Sequence, residues 1–248
     1  MIKISIENNI AIIRLNRSEK RNALHPEMVE QIKIKLKEFD DDDEIKSLII
    51  TGDENNFCAG ADLEYMDKLR DYSAVENEKD SASLAELFLQ LYKFSKPTIA
   101  AVNGAAIAGG CGLASVCDFI IAHPVNSKFG YSEVKIGFIP AVVSVFLIKR
   151  VGEGTAKQLL LTGDYIGGEK ALEIGFVNYL SEYPVKEAIN LAVKLQNNSG
   201  YSLKLTKSII NNIFGLSVDD AVQYCIKLNT ISRASEDFKN GLKKFLTK

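Results

Sequence analysis

The chain of 248 residues is short of histidine, with only His25 and His123. The two lie far apart and fit no common zinc spacing. A Ser-His or Cys-His nucleophilic pair would need one of them in a catalytic cleft, yet each precedes a proline, His25 at a predicted helix start and His123 after an apolar run. Acid–base chemistry, if present, therefore falls to carboxylates. The four cysteines, Cys58, Cys111, Cys117 and Cys225, form no CxxC pair, so neither a disulfide framework nor a metal centre is expected. Charge of one sign is also missing: 30 Lys and Arg against 32 Asp and Glu leave a formal −2, which offers no strong field for nucleic acid or an anionic membrane. No apolar run is long enough to span a bilayer, and the opening MIKISIENNIAIIRLN alternates apolar and polar residues where a signal peptide would have an apolar block. A soluble cytoplasmic protein is the expectation. No GxGxxG or Walker loop occurs, so nucleotide sites of those kinds are not indicated.

What is present is ordinary globular composition, 46% hydrophobic and 25% charged, enough for one large domain or one domain with a terminal extension. Ile2, Ile4 and Ile6, the Asn8-Asn9 turn, and Ile10 to Leu15 predict a hairpin. From Pro26, the spacing of Met28, Val29, Ile32, Leu36 and Phe39 predicts a helix, with the acidic run Asp40 to Asp43 as a solvated loop beyond it. Buried strands are expected at 47–52, 96–104 and 119–122, the first two closed by glycine. A loop at 55–62 leads into a helix at 63–69, and the polar stretch 71–82 is the expected mobile segment. A further helix begins at Gly109. After Tyr165 the pattern is mainly helical, over 169–174, 186–196, 203–213, 218–231 and 237–246, with an Asn-Ser-Gly interruption at 198–202. Recurrence of strand, glycine loop and helix at unequal intervals suggests stacked β-β-α turns.

Two glycine-rich loops, Cys58-Ala59-Gly60-Ala61-Asp62 and Ala108-Gly109-Gly110-Cys111-Gly112, each follow a predicted strand and enter a predicted helix. Such junctions can expose backbone N–H groups to negative charge, or can merely be tight turns that pack helix on sheet. Together with Lys20-Arg21-Asn22-Ala23-Leu24, Lys96-Pro97-Thr98, Cys117-Asp118, the run from Phe129 to Pro140 and the closing Ser235 to Lys239, they make a pattern that resembles the enoyl-CoA hydratase/isomerase (crotonase) superfamily over nearly the whole chain.

The resemblance implies an α/β fold, a crotonase-type spiral of β-β-α units over 1–198, with a C-terminal helical trimerisation region over 199–248. It implies an acyl-CoA thioester as substrate, no cofactor beyond the coenzyme A that the substrate carries, no nucleic-acid or membrane partner, and a homotrimer or dimer of trimers. The amphipathic spacing of Leu203, Ile209, Ile210 and Ile213 is compatible with such an interface and equally with an internal core face. By motif match, the thioester oxygen sits between the backbone N–H groups of Ala61 and Gly109, and removing one such donor costs ~3 kcal/mol of barrier. Arg21, Ala23, Ala59, Asp62 and Leu63 fall on the family's CoA and substrate contacts, with Lys20 or Arg21 near phosphate. Glu133 matches one of the two glutamates of the hydratases and is the expected general acid/base, its pKa raised by the apolar stretch Ile136 to Pro140. The other glutamate position falls on Gly112, so one carboxylate is missing. Glu64, Asp67 and Ser144 are further candidates for orienting water or a substrate carboxylate, while Cys58 and Cys111 read as packing residues.

One glutamate resembles the arrangement of the family's Δ3,Δ2-enoyl-CoA isomerases and can also hold the water for hydration; the stretch Phe129 to Val145 resembles hydratases of branched or carboxylated esters such as methylglutaconyl-CoA, so hydration of an enoyl-CoA is the expected reaction. A Δ3,Δ2-enoyl-CoA isomerase is the alternative, and an acyl-CoA-binding or scaffold protein without turnover is the alternative from another class.

Overall fold

The computed structural model describes residues 1–53 and 55–246. Strands β1 (Ile2–Glu7) and β2 (Ile10–Leu15) form an antiparallel hairpin about Asn8 and Asn9, whose φ of 49° and 61° fits the primed turn that hairpins favour. As the edge strand, β1 leaves Ile4 and Ile6 exposed although they alternate with polar residues, whereas β2 is buried at every position but Arg14. The helix α1 (Pro26–Asp41) starts on a His25 cap, with Nδ1 accepting from the Glu27 amide at 3.3 Å, and takes in the first half of the acidic run. Asp40 is not simply solvated, because its carboxylate accepts from the Ser95 amide at 2.8 Å.

The chain then coils. Strands β3 (Ser47–Thr51) and β4 (Asn56–Cys58) precede α2 (Leu63–Leu69) and α3 (Ala74–Lys93); β5 (Thr98–Val102) and β6 (Ala105–Ile107) precede α4 (Gly109–Ser115); β7 (Phe119–Ala122) and β8 (Lys128–Gly130) precede α5 (Ala141–Thr162). In each turn the first strand joins one sheet and the second joins another, giving the orders β1-β2-β3-β5-β7-β10 and β4-β6-β8-β9, where β9 spans Tyr165–Gly167 and β10 Tyr179–Leu180. Successive coils pair in parallel within each sheet. One face of the large sheet packs with α1, α3, α4 and α5 residues, and the other, through Ile10, Ile12, Ile49, Ile99 and Ile121, meets Ala188 and Ala192 of α7 (Pro184–Gln196). Burial on both faces explains why β3 and β5 read as continuous apolar runs.

The predicted mobile stretch 71–82 is instead mostly the start of α3. Ser73 and Glu76 form a reciprocal capping box, and the polar residues clothe the outer face of a helix that buries Leu87, Phe88 and Leu91 further on. The loop expected at 55–62 contains β4, too short to show a strand pattern. The longest helix, α5, was not set apart by the sequence pattern. Its first half is almost wholly apolar, and Gly152 (φ 77°) breaks it internally, so helical periodicity is blurred. After α6 (Gly168–Glu173) and α7 come α8 (Gly200–Asn212), α9 (Val218–Ala234) and α10 (Glu236–Leu246). Helix α8 is tied to the spiral by Lys207, whose Nζ donates to Asp118 Oδ2 at 2.7 Å, and by Asn211, which donates to the Tyr92 carbonyl at 2.9 Å. Between α8 and α9 lies an apolar groove that includes Leu205, Ile209, Ile213 and Ile226. No described helix is long and apolar enough to cross a membrane.

Candidate active site

The two glycine loops meet. The segment Arg21–Leu24 is laced to the loop after β4 by three backbone bonds: Ala59 N–H to Arg21 O (3.1 Å), Leu24 N–H to Gly60 O (2.6 Å) and Asp62 N–H to Leu24 O (3.0 Å). Ala61 is left over, its N–H without an acceptor among the described residues. Gly60 has φ 88°, and a Cβ there would lie 2.8 Å from the Ile107 carbonyl oxygen, so both conformation and space require glycine. In the second loop Ala108 takes the strained φ 50°, ψ −118°, which turns the chain abruptly into α4. Gly109 is thereby the first helical residue, and its N–H has no carbonyl one turn back to bind. A Cβ at 109 would sit 3.2 Å from Leu24 Cδ1 and 3.9 Å from Gly60 Cα. The loops therefore abut, with Ala61 and Gly109 half-buried and their amides free for a ligand.

Asp62 is spent on holding this loop. Its carboxylate accepts from the Glu64 and Tyr65 amides at 2.8 and 3.1 Å, capping α2, and pairs with Arg17 Nη1 at 2.5 Å. Burial pushes its pKa up, but the Tyr65 amide, Arg17 and the Glu64 amide outweigh that and hold the carboxyl below its ordinary value. Arg17 also donates to the Ala23 carbonyl at 3.3 Å. Arg21 and Asn22 both have positive φ. Arg21 is exposed, whereas Asn22 is fully buried and binds the Arg17 amide, Asp53 Oδ2 and the Asn56 carbonyl. Ala23 is buried, Ala59 half-buried and Leu63 exposed at the start of α2. Arg17 carried no sequence signal, because its partner Asp62 is remote in the chain, and Asn22 stood out only as a member of the Lys20–Leu24 motif, not for its bonds to Asp53 and Asn56.

Three further candidates do not join the site. Glu64 is exposed and pairs with Lys20; Asp67 is exposed and pairs with Arg70 at 3.1 Å. Ser144 turns its hydroxyl onto the Ala141 carbonyl of its own helix at 2.7 Å. The thiols of Cys58 and Cys111 are wholly buried, and burial pushes Cys58 up to about 12 and Cys111 higher still, so neither is a ready thiolate.

Glu133 opens a 3-10 turn, Glu133–Ile136, just past β8. It is 8% exposed, and its Oε2 has no partner among the described residues. Burial raises its pKa above the ordinary value, opposed by its own backbone N–H. In the apolar stretch after it, Ile136, Phe138 and Ile139 are largely exposed. The Cys111 thiol and the Tyr131 phenol both feel the Glu133 charge. At Gly112, one turn along α4 from Gly109, a Cβ would fall 3.0 Å from Phe88 Cζ and closer still to Val143. Hydrocarbon fills that position, and nothing in the sequence pattern pointed to either residue.

Free amides on abutting loops, with a buried carboxyl bearing an unpaired oxygen at the end of a strand in the same sheet, can hold a polarised carbonyl oxygen while a proton moves at a neighbouring atom. The family model described as enoyl-CoA hydratase/isomerase matches residues 5–248. The chain is 35% identical to the crotonyl-CoA hydratase of Syntrophomonas wolfei, an alignment covering 98% of this chain and 93% of that one. It is 32% identical to the 2,3-dehydroadipyl-CoA hydratase of Escherichia coli, covering 99% and 95% respectively. The solved structure of an enoyl-CoA hydratase from Shewanella pealeana superposes with a TM-score of 0.94 at 30% identity, over 99% of this chain and 93% of that chain.

Proposed function

The chain belongs to the enoyl-CoA hydratase/isomerase family, and from that premise we propose that it hydrates a 2-enoyl-CoA thioester. The observation that carries this reading is the pairing of unengaged Ala61 and Gly109 amides with the buried, unpartnered Glu133 carboxyl. The thioester oxygen accepts from both amides. Glu133 removes a proton from water as the water oxygen bonds to the β-carbon and the double-bond electrons move onto the thioester oxygen. The resulting enolate is stabilised by the two donors, then collapses as Glu133 returns a proton to the α-carbon. One carboxyl thus serves as base and then acid. Arg21 meets phosphate of the CoA moiety, which is part of the substrate, a reading supported by its exposure beside the loop.

A branched or carboxylated acyl group is the narrower reading, supported by the pattern after Phe129 and by the dehydroadipyl-CoA hydratase among the relatives. Isomerisation of a 3-enoyl ester is the second reading, favoured by the hydrocarbon packed against Gly112. Assembly as a homotrimer or dimer of trimers is supported by exposed Ile210, Phe214, Val218 and Val222 on and between α8 and α9.

Parallel assays on 2-enoyl and 3-enoyl esters test the reaction. Hydration removes the conjugated thioester absorbance of the former, whereas isomerisation creates it from the latter. Loss of turnover with retained CoA-ester binding in Glu133→Gln is expected, and undiminished turnover in that variant overturns the mechanism.

A further inference from the structure

The six-stranded sheet ends on β1, and that edge is open. From Lys3 to Glu7 every residue of β1 is exposed, Ile4 to 36% and Ile6 to 56%. Which backbone groups face outward follows from the hairpin. In an antiparallel pair, alternate residues turn their N–H and C=O groups to the partner strand, and the rest turn them away. The Met1 carbonyl accepts from the Asn16 amide at 3.0 Å, and Glu7 and Ile10 close the turn. Lys3, Ser5 and Glu7 therefore bond to β2, while Ile2, Ile4 and Ile6 hold their donors and acceptors toward the open edge. Such an edge is a template for another strand.

The side chains on this edge select the strand that fits. The isoleucines project to one face of the sheet, and Lys3, Ser5 and Glu7 to the other. Lys3 stands opposite Arg14, a like charge, and neither Lys3 nor Glu7 has an ionic partner among the described residues. An antiparallel strand from a second copy, centred on Ser5, answers both features. Ile4 then opposes the partner's Ile6, and Ile6 the partner's Ile4, each pair exchanging its backbone hydrogen bonds and gathering the isoleucines into one apolar patch. On the other face Lys3 opposes the partner's Glu7, and Glu7 the partner's Lys3. Outward residues must oppose outward residues, so the register moves only in steps of two. A step either way sets Ser5 against Lys3 or against Glu7.

We propose that β1 is a two-fold contact between copies of this chain, pairing antiparallel with itself and joining two six-stranded sheets into one. The contact shares no residue with α8 and α9, and it doubles whatever unit those helices assemble. It is independent of the reaction assigned to Glu133.

The test is sedimentation velocity across protein concentration on the full chain and on Lys3→Glu, Glu7→Lys and the variant carrying both changes. Wild type is expected to show a step in which mass doubles. Each single substitution sets like charges face to face at both symmetric positions, and is expected to move that step to about tenfold higher concentration. The combined variant, which exchanges the two charges, is expected to bring the step back. Thermal midpoints are expected to stay near wild type in all of them, because both positions are exposed. Absence of a mass-doubling step in wild type overturns the proposal, as does a step that both single variants leave in place. A combined variant as weak as the singles overturns it too, since the two charges would then not face each other.

Discussion

Val143 and Gly112 are packed against each other so closely that a Cβ on Gly112 would lie 2.4 Å from Val143 Cγ1. The absence of a side chain at 112 is thus matched by a neighbour that has taken its place. Gly112→Ala is expected to destabilise the fold by about 1 to 3 kcal/mol through overpacking. Val143→Ala in the same chain should recover part of that loss, because it removes the nearer methyl and leaves only Phe88 close by. Urea denaturation of both singles and the double variant measures the coupling; strict additivity would mean that the contact does not limit the site.

Gly60→Ala is expected to lower kcat at least tenfold with a smaller effect on KM. The new methyl meets the Ile107 carbonyl at 2.8 Å and a φ of 88° that alanine resists, so the chain at Ala61 must shift and its N–H, the proposed oxyanion donor, moves out of line. Steady-state kinetics on a 2-enoyl-CoA decide the matter, and an unaltered kcat would separate Ala61 from the chemistry.

Asp62→Asn should keep much of the α2 cap while losing the Arg17 pair, and Asp62→Ala should lose both, at about 1 to 2 kcal/mol for the cap alone. The folded-state pKa of Asp62 is lowered, so its contribution is present above the unfolded pKa and fades as pH falls through the folded value. Wild type should accordingly lose more stability than Asp62→Asn between neutral pH and about pH 3. Equal acid slopes in denaturant titrations would contradict this.

Glu133 has the opposite linkage. Its folded pKa is raised, so folding favours the protonated form, and stability declines as pH rises from the unfolded value through the folded one. Glu133→Gln is therefore expected to melt at a higher temperature than wild type at neutral pH, the two converging in acid below about pH 4. Scanning calorimetry at the two pH values checks it, and the gain in stability should accompany the loss of turnover.

Much of the spiral could be read from the chain because its central strands are buried on both faces and two of them, β3 and β5, run into glycine. The two glycine loops were legible because Gly60 and Gly109 stand where a side chain would crowd the neighbouring segment. Helix α5 was not, because an apolar helix broken at Gly152 shows no polar face. The polar outer surface of α3 passed for a mobile stretch, its capping box at Ser73 and Glu76 being a local signal weaker than the surrounding charge. At the site, Asp62 could be found but not its partner Arg17, since only folding brings them together.

The small sheet also says how such a site can change. Its parallel strands β4, β6 and β8 lie side by side, and Ala61, Gly109 and Glu133 follow their last residues, Cys58, Ile107 and Gly130, by three, two and three positions. On the proposed mechanism each coil contributes one working part just past the carboxyl end of its own strand. The two coils proposed to hold the thioester can then stay fixed while the third is rewritten, so substitutions around residue 133 would alter the proton chemistry without rebuilding the grip on the substrate.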